Sequence, residues 1–564
     1  MLRAGQWYRV QHRLANLTGA SFRSSMIPGM PAVKYDVCVI GSGAAGGVMT
    51  KQLCEAGAKV VLLEAGREVK PAEYRSHCMP FEMQFRGLRG EKQEPFYPGD
   101  IQNTIRYEDS DGIGVDRIRV LGGRTVHWNA VVLRFAAQDF REHSVNGLEE
   151  DWPISYDELA PYYERVEQMI GVCGQDDGLE ILPAGKHYLP PIPLRCSEHL
   201  YRRAIEPLGY KVIPVRKALL TKPYDRRAAC HYCGHCMDGC DVAAIFSTPG
   251  SMLPKARATG NLTLRMNALA RELLVDDEGR IRAVSIVDRL TKQEEEIQAR
   301  VFVLGCGAVE SPRLLLNSKS RPYPNGLGNS NDVVGRYLHG HLNGTVEVYL
   351  KELMGKAPFN QDGALDHVYV PRADARTATK AYGFQVNYSG FMFPRHAKRI
   401  PGYGAAFKQT VRDMQQSSLS FGGWGKVLAQ RENRVTVDAG RPDAYGIPTP
   451  VVHFRFGDFD MENYGNMTTA LREMCGALGG TAFINFGERP GGFASHEVGT
   501  IRMGKDRQTS ALNSYCQSHE VKNLFVTDGS SFTTFSEKNP TLTIMALSMR
   551  TAEQIMHLRK RGEL

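Results

Sequence analysis

Two stretches of this sequence carry residue types whose spacing points to chemistry. In the first, Cys230, Cys233, Cys236 and Cys240 fall within eleven residues, with Gly234 and Gly239 between them. Four thiolates this close can wrap one soft metal centre. Zinc is one reading, although its ribbon sites usually draw ligand pairs from two separate knuckles. An iron–sulfur cluster accepts compact cysteine runs of this kind and is the preferred reading. Free or disulfide-bonded cysteines are the third. The remaining eight of the 12 cysteines (Cys38, Cys54, Cys78, Cys173, Cys196, Cys306, Cys475 and Cys516) are dispersed, several in apolar runs where cysteine acts as a small hydrophobe. In a chain this long, such a distribution suits a metal or redox centre better than a disulfide scaffold.

The second stretch is Gly41-Ser-Gly43-Ala44-Ala45-Gly46, whose first glycine ends the apolar run of residues 35–41 and which opens a helix-like segment reaching Ala56. Gly57 ends that segment, Lys59–Leu63 is a second apolar run, and Glu64 closes it, 23 residues after Gly41. A complete strand–loop–helix–strand unit of this kind binds a dinucleotide. The first glycine permits the tight turn and the second lets the main chain approach the pyrophosphate. The third lets helix and strand pack closely, with the phosphates at the helix N-terminus. Glu64 stands where an acid would hold ribose hydroxyls.

The elements that must position these groups are widely spaced. No second strand–turn–helix unit follows within a few residues, which favours FAD over a nicotinamide nucleotide. Val301–Gly305 and Leu524–Asp528 read as later strands of the same sheet, and Leu262–Arg300 as a β-meander turning at Asp277-Glu-Gly279. The fold class expected is therefore α/β: a Rossmann-like FAD-binding domain with a β-meander, discontinuous in sequence, plus an α+β substrate domain with an antiparallel sheet. Residues 1–34 are expected to form a basic arm, 35–340 the first part of the FAD domain with a cysteine insertion at 222–250, 341–484 the substrate domain, and 485–564 the returning FAD segment. Strand-like runs at Thr345–Leu350, Gly383–Tyr388, Val435–Asp438 and Pro450–Phe456 suit the antiparallel sheet, and Tyr156–Ile170 suits a helix on the FAD domain.

Composition narrows the function classes. At 564 residues the chain exceeds one hydrophobic core, and 42% hydrophobic with 23% charged residues is ordinary for a soluble globular protein. No apolar run approaches the roughly 18 residues of a membrane span. The net charge of +8 is scattered, with no basic block interleaved with aromatics, so no nucleic-acid partner is expected. The arm carries Arg3, Arg9, Arg13, Arg23 and Lys34 and no acid, and it lacks the pattern of an export signal. Localisation stays undecided between the cytoplasm and a periplasm reached by co-export with a partner subunit.

Further segments carry a family resemblance. Arg119-Val-Leu-Gly122-Gly123-Arg124-Thr125, Gly307-Ala-Val-Glu-Ser311-Pro312, Val334-Gly335-Arg336, His496-Glu-Val-Gly499, Asp528-Gly529 and Asn539-Pro540-Thr541 occur in order along the chain. Together they resemble the glucose–methanol–choline oxidoreductases over nearly its whole length. Arg124 departs from the small hydroxyl residue often found there. Val126-His127-Trp128-Asn129 is more similar to sugar dehydrogenases and pyranose oxidase, and in pyranose oxidase this histidine is joined to the flavin. For His127, covalent attachment and a packing or flavin-contact role both stand, the second preferred.

The resemblance implies FAD contacts from Arg119, Gly122, Gly123, Thr125, His127, Asn129 and Ala130. It also places Asp528 towards the ribityl or pyrophosphate, and Gly529, Asn539, Pro540 and Thr541 near the flavin ring. It further implies the catalytic pair His496 and Asn539. Oxidising an alcohol removes a proton and a hydride; the flavin takes the hydride and the protein supplies the base. Histidine suits that base, and a neutral amide can hold the oxygen without competing for the proton. His339 and His341 are read as structural. Cys230-x5-Cys236-x3-Cys240 resembles the three-iron cluster of FAD-dependent glucose dehydrogenase catalytic subunits, and Cys233 is extra, which leaves a four-iron cluster open.

The expected activity is dehydrogenation of a hydroxyl on a pyranose or glycoside, with a lean towards the ring 3-hydroxyl. Electrons would leave through the cluster to a cytochrome or other one-electron acceptor, with a small subunit as partner. Glucose, gluconate or fructose dehydrogenation and a pyranose-type oxidase are the alternatives. A non-redox FAD lyase is the alternative from another class.

Overall fold

The strand Tyr35–Ile40 is built from β-branched and apolar residues because both its faces are covered; Val37, Cys38 and Val39 have no solvent exposure. In the computed structural model, which describes residues 35–74, 105–108, 110–111, 113–115, 117–234, 236–356, 365–372, 380–390, 397–491 and 496–564, this strand is central to a seven-stranded sheet. The expected basic arm and Cys78 lie outside the described residues. Tyr35–Ile40 pairs in parallel with Val60–Leu63 on one side and with Glu294–Leu304 on the other. Leu262–Arg265 extends the first side in parallel. Ala268–Val275, Ile281–Asp288 and Glu294–Leu304 form an antiparallel meander, turning at Gly279, whose φ of +78° is a left-handed value that suits glycine. Leu524–Val526 returns near the end of the chain to pair in parallel with Glu294–Leu304.

A second sheet, of six strands, runs in the order Thr481–Asn485, His341–Tyr349, Ser418–Lys426, Tyr382–Gly390, Val368–Val370, Ile213–Pro214. Its register decides which side chains share a face. Asn343 lies opposite Trp424, and Lys426 opposite His341, across one ladder. Gly383 lies opposite Trp424, and Gln385 opposite Gly422, across the next. With a period of two along each strand, His341, Trp424 and Gln385 therefore fall on the same face.

The strands Arg434–Pro442 and Pro448–His453 do form a hairpin, but they leave this sheet. They make a three-stranded sheet with Arg106–Tyr107, which pairs in parallel with Pro448–His453. Side-chain alternation reveals a strand without revealing its partner. Here the buried guanidinium of Arg313 draws the hairpin towards the helix Glu310–Asn317, donating to the carbonyls of Pro448 and Ile447 and to Asp443 at 2.8 Å.

Two helices bring chain ends to the first sheet. Ala44–Glu55 starts at the glycine loop. Thr541–Lys560 starts directly after Asn539-Pro540 and packs against Ala44–Glu55. The expected helix Tyr156–Ile170 is present, begun by a Ser155–Glu158 capping box. Its buried stripe Leu159, Tyr163, Val166 and Ile170 lies along one side, and Tyr163 is 2.7 Å from the Thr543 hydroxyl at the start of Thr541–Lys560.

Candidate active site

One cavity of about 470 Å³ runs from the glycine loop to the face of the six-stranded sheet. At its first end the main chain forms the walls. Gly41 takes φ +96°, and a Cβ on Gly46 would stand 1.8 Å from the Gly41 carbonyl oxygen, so helix and strand touch only because that atom is missing. A Cβ on Gly43 or Gly307 would meet no protein atom; these two backbone faces, both lining the cavity, are open to a bound group. The helices Ala44–Glu55 and Thr541–Lys560 both present their N-termini to the cavity, adding positive potential for phosphate or for an anionic ring edge. Such a cradle fits a dinucleotide.

Glu64 lines this end and ties it together. Its carboxylate accepts from the Ser42 hydroxyl at 2.5 Å and from the Gly66 amide at 2.8 Å. The same Ser42 oxygen accepts from the Gly122 amide at 2.8 Å, which joins the two glycine loops. Burial raises the Glu64 pKa, although the bonds from Ser42 and Gly66 and the nearby Arg119 oppose it. Arg119, Gly123, Thr125, His127, Asn129 and Ala130 also line the cavity, as do Asp528, Gly529, Pro540 and Thr541. Gly122 sits just behind, with φ +96° and Pro249 where its Cβ would be. The Asp528 carboxylate is committed within the protein, accepting from the Gly307 amide at 2.9 Å and the Ser311 hydroxyl at 2.5 Å.

At the other end His496 and Asn539 meet, with Asn539 Nδ2 3.4 Å from His496 Nε2. Three residues of the sheet face complete this end. His341 Nδ1 is 2.9 Å from His496 Nδ1, Gln385 Nε2 donates to Asn539 Oδ1 at 3.0 Å, and the Trp424 ring lies 5.2 Å from the His496 ring. Burial, then the neighbouring His341 and Arg124, push the His496 pKa well below the usual histidine range, so the imidazole is neutral at pH 7. Arg124 itself pairs with Glu497 at 2.9 Å. His339 is buried with Nδ1 2.7 Å from the Tyr337 carbonyl oxygen; neither it nor His341 lines the cavity, and His341 reaches the site through His496.

His341, Gln385 and Trp424 escaped the sequence reading. A His-Gly-His run opening a strand gave no sign of function, because only the register across two ladders places it beside residues 385 and 424.

The cysteine loop abuts the cavity. Met237 lines it, and the Met237 carbonyl oxygen accepts from His127 Nδ1. Asn129 donates to Asp366, and the fully buried ammonium of Lys217 donates to the carbonyls of Asn129 and, at 2.6 Å, Leu365. The Leu365 amide in turn donates to the Cys236 sulfur at 3.4 Å. Amides of Tyr232 and Ile245 donate to Cys230 and Cys240 at 3.3 and 3.5 Å. Cys236 is buried, Cys230 and Cys240 are half-buried, and Cys233 is exposed. Burial pushes the Cys230 thiol up to about 12, against the bond from Tyr232, and the neighbouring thiols Cys236, Cys240 and Cys233 add to it. Among the described residues no three His, Cys, Asp or Glu side chains form a group ready to hold a metal ion. The four expected ligands are thus near neighbours, not a closed coordination shell.

Comparisons with known proteins identify the family and the fold. The family model GMC oxidoreductase matches residues 35–343 in its N-terminal part and 429–548 in its C-terminal part. The 2-methyl-1,2-propanediol dehydrogenase of Mycolicibacterium austroafricanum is 30% identical, covering 93% of this chain and 95% of that protein. The fructose dehydrogenase large subunit of Gluconobacter japonicus is 26% identical, covering 93% and 98%. Pyridoxine 4-oxidase from Mesorbium loti shares the fold with a TM-score of 0.63 at 19% identity, covering 93% of this chain and 99% of that one. Among the described residues no helix is long and apolar enough to cross a membrane.

Proposed function

The chain belongs to the GMC oxidoreductase family, and from that premise we propose that it dehydrogenates a hydroxyl of a pyranose sugar or glycoside and passes the electrons to a one-electron acceptor. FAD, when bound, supplies the hydride acceptor. The residues that would hold it are the open main chain at Gly43 and Gly307, the two helix N-termini, and Glu64 at the ribose end. At the reacting end, Asn539 Nδ2–H donates to the substrate oxygen and His496 Nε2 takes its proton as the carbon–hydrogen bond breaks. A neutral base and a neutral donor 3.4 Å apart suit one hydroxyl oxygen.

The observation that carries the substrate class is a group of buried polar atoms without protein partners in the cavity that holds this pair. Asn129 Oδ1, Asp366 Oδ1 and Gln385 Oε1 are acceptors, Trp424 Nε1 is a donor, and all four residues line the cavity. Buried groups of this kind require hydrogen-bond partners. Three acceptors and one donor in the cavity of the reacting pair match a ligand with several hydroxyls. The ring 3-hydroxyl of a glucoside, giving a 3-keto sugar, is the specific position favoured. Fructose is a second candidate, since the large-subunit relative is named for it.

For the electrons, an iron–sulfur centre in the cysteine loop is the exit proposed. Three amide-to-sulfur bonds and the buried Lys217 ammonium oppose the burial that raises these thiols, and the exposure of Cys233 beside three more sheltered thiols supports the three-iron form over the four-iron form or zinc. A small subunit and a cytochrome are the partners this route implies.

Anaerobic absorption spectra, with iron and sulfide analysis, test the whole reading on a panel of glycosides, free sugars and simple diols. Flavin bleaching by glycosides with iron and sulfide present is the expected result. Bleaching by diols alone would replace the substrate class, rapid reoxidation by oxygen without iron would make the enzyme an oxidase, and a flavin that nothing reduces would remove the dehydrogenase.

A further inference from the structure

Resting on the reading of His496 as the base, we propose that His341 is a positioning residue that fixes the His496 tautomer, leaving its Nε2 lone pair free for the substrate proton. The Ser536 carbonyl oxygen can only accept a hydrogen bond. His341 Nε2, 2.7 Å from it, must therefore carry a hydrogen. His341 has no solvent exposure, and burial lowers its pKa to about 4 even though the Ser536 carbonyl opposes this. The ring is neutral at pH 7, its single hydrogen is already placed, and Nδ1 is left with a lone pair.

His496 Nδ1 faces that lone pair at 2.9 Å. Two lone pairs at this distance would repel, so His496 Nδ1 is the donor. His496 is also neutral, so this is its only ring hydrogen, and Nε2 is bare. A second chain sets the amide in the opposite sense. Gln385 Nε2 donates to Asn539 Oδ1, which turns Asn539 Nδ2–H towards His496 Nε2. One chain delivers an acceptor to the site and the other a donor, which is what a hydroxyl group needs on giving up its proton.

The anchor of the first chain is rigid. Phe535 stacks on the His341 ring at 4.4 Å and 19°, and Trp424 meets its edge side at 6.0 Å. Glu537 and Lys538, which follow Ser536, are locked in a buried network in which Lys538 lies 2.9 Å from both Glu537 and Asp139. The titratable groups that face the relay are Glu537 and the neutral His339 towards His341, and Arg124 towards His496. When Nε2 takes the substrate proton, the His341 lone pair accepts from the Nδ1–H of the resulting imidazolium and stabilises it. No proton moves along the relay; the hydroxyl proton stays on His496 Nε2 until it leaves to solvent.

The test uses the holoenzyme with 15N-labelled histidine and a long-range 1H–15N spectrum, which reports imidazole tautomers. A signal removed by His496→Ala and showing Nδ1–H with bare Nε2 is the expected result. A hydrogen on Nε2 in the resting enzyme would overturn the proposal, and this reading needs no variant of His341 to fold. Stopped-flow flavin reduction adds the second readout. His341→Leu is expected to slow reduction on the order of 10²-fold with KM little changed, below the ~10⁴ that a fixed wrong tautomer costs a serine-protease triad. His341→Asn, whose Oδ1 can accept from His496, is expected to recover most of that loss. Wild-type reduction rates in His341→Leu would also overturn it. If His496→Ala retains turnover, the base reading fails, while the tautomer spectrum is unaffected by that outcome.

Discussion

At one end of the cavity, Gly41 lies against the Gly305 main chain, Gly46 against the Gly41 carbonyl, and Glu64 is bound by Ser42 and the Gly66 amide. At the other, His341, Gln385, Trp424, His496 and Asn539 arrive from five separate stretches and hold each other through side chains. The first end tolerates no added atom at Gly41 or Gly46 but asks little of side-chain chemistry. The second tolerates small changes of shape and asks for particular protonation states. Substitutions at the two ends should therefore fail in different ways, one by losing the flavin and the other by keeping an idle one.

The largest effect is expected at Gly46. The Cβ of Gly46→Ala would lie 1.8 Å from the Gly41 oxygen, a clash between main-chain groups that no rotamer relieves. The variant should purify without flavin, as read from the ratio of absorbance near 450 nm to that of the protein, ~450 nm being the usual flavin band. Flavin at full occupancy would mean that the strand and helix can separate, and the contrast between the two ends would collapse.

His496→Ala should do the reverse: flavin retained, turnover down by about 10²–10⁴. In the unmodified enzyme the lowered His496 pKa also sets the acid limb of kcat/KM. The base is active when neutral, so activity is fully present at pH 7 and falls only as the pH drops through a value well below 6.5. A limb centred above 6.5 would show that His496 is not the group being titrated.

The same contrast explains what could be read from sequence. The glycine loop and Glu64 are adjacent in the chain, and their geometry follows from where side chains are missing, so spacing alone reveals them. The strands of the meander and the helix Tyr156–Ile170 are equally local, read from strand-like and helix-like runs and a turn at Asp277-Glu-Gly279. His496 and Asn539 came only through family resemblance, since nothing within either segment marks a base or a donor. His341 and Gln385 were beyond reach because strand register across the six-stranded sheet is set by packing, not by local pattern. The Arg434–His453 hairpin was recognised as strands but given the wrong sheet for the same reason: its partner depends on the distant Arg313.

The smallest effect is expected at Glu64, and it separates binding from folding at the backbone-built end. A buried carboxylate whose pKa is raised costs the folded protein something when ionised, and only the bonds from Ser42 and Gly66 offset that cost. Glu64→Gln removes the charge and the burial cost together, so thermal stability without flavin should stay within about 1 kcal/mol. What the amide cannot do is accept from Ser42, from Gly66 and from a ribose hydroxyl at once, since one of its two atoms is a donor. Flavin affinity should fall by roughly tenfold to a hundredfold, about 1.5–3 kcal/mol for a hydrogen bond to a charged group, measured by fluorescence titration of the apoprotein. A variant that binds flavin normally but unfolds earlier would assign Glu64 to the joint between Ser42 and the Gly122 loop, and would leave the ribose to another group at this end of the cavity.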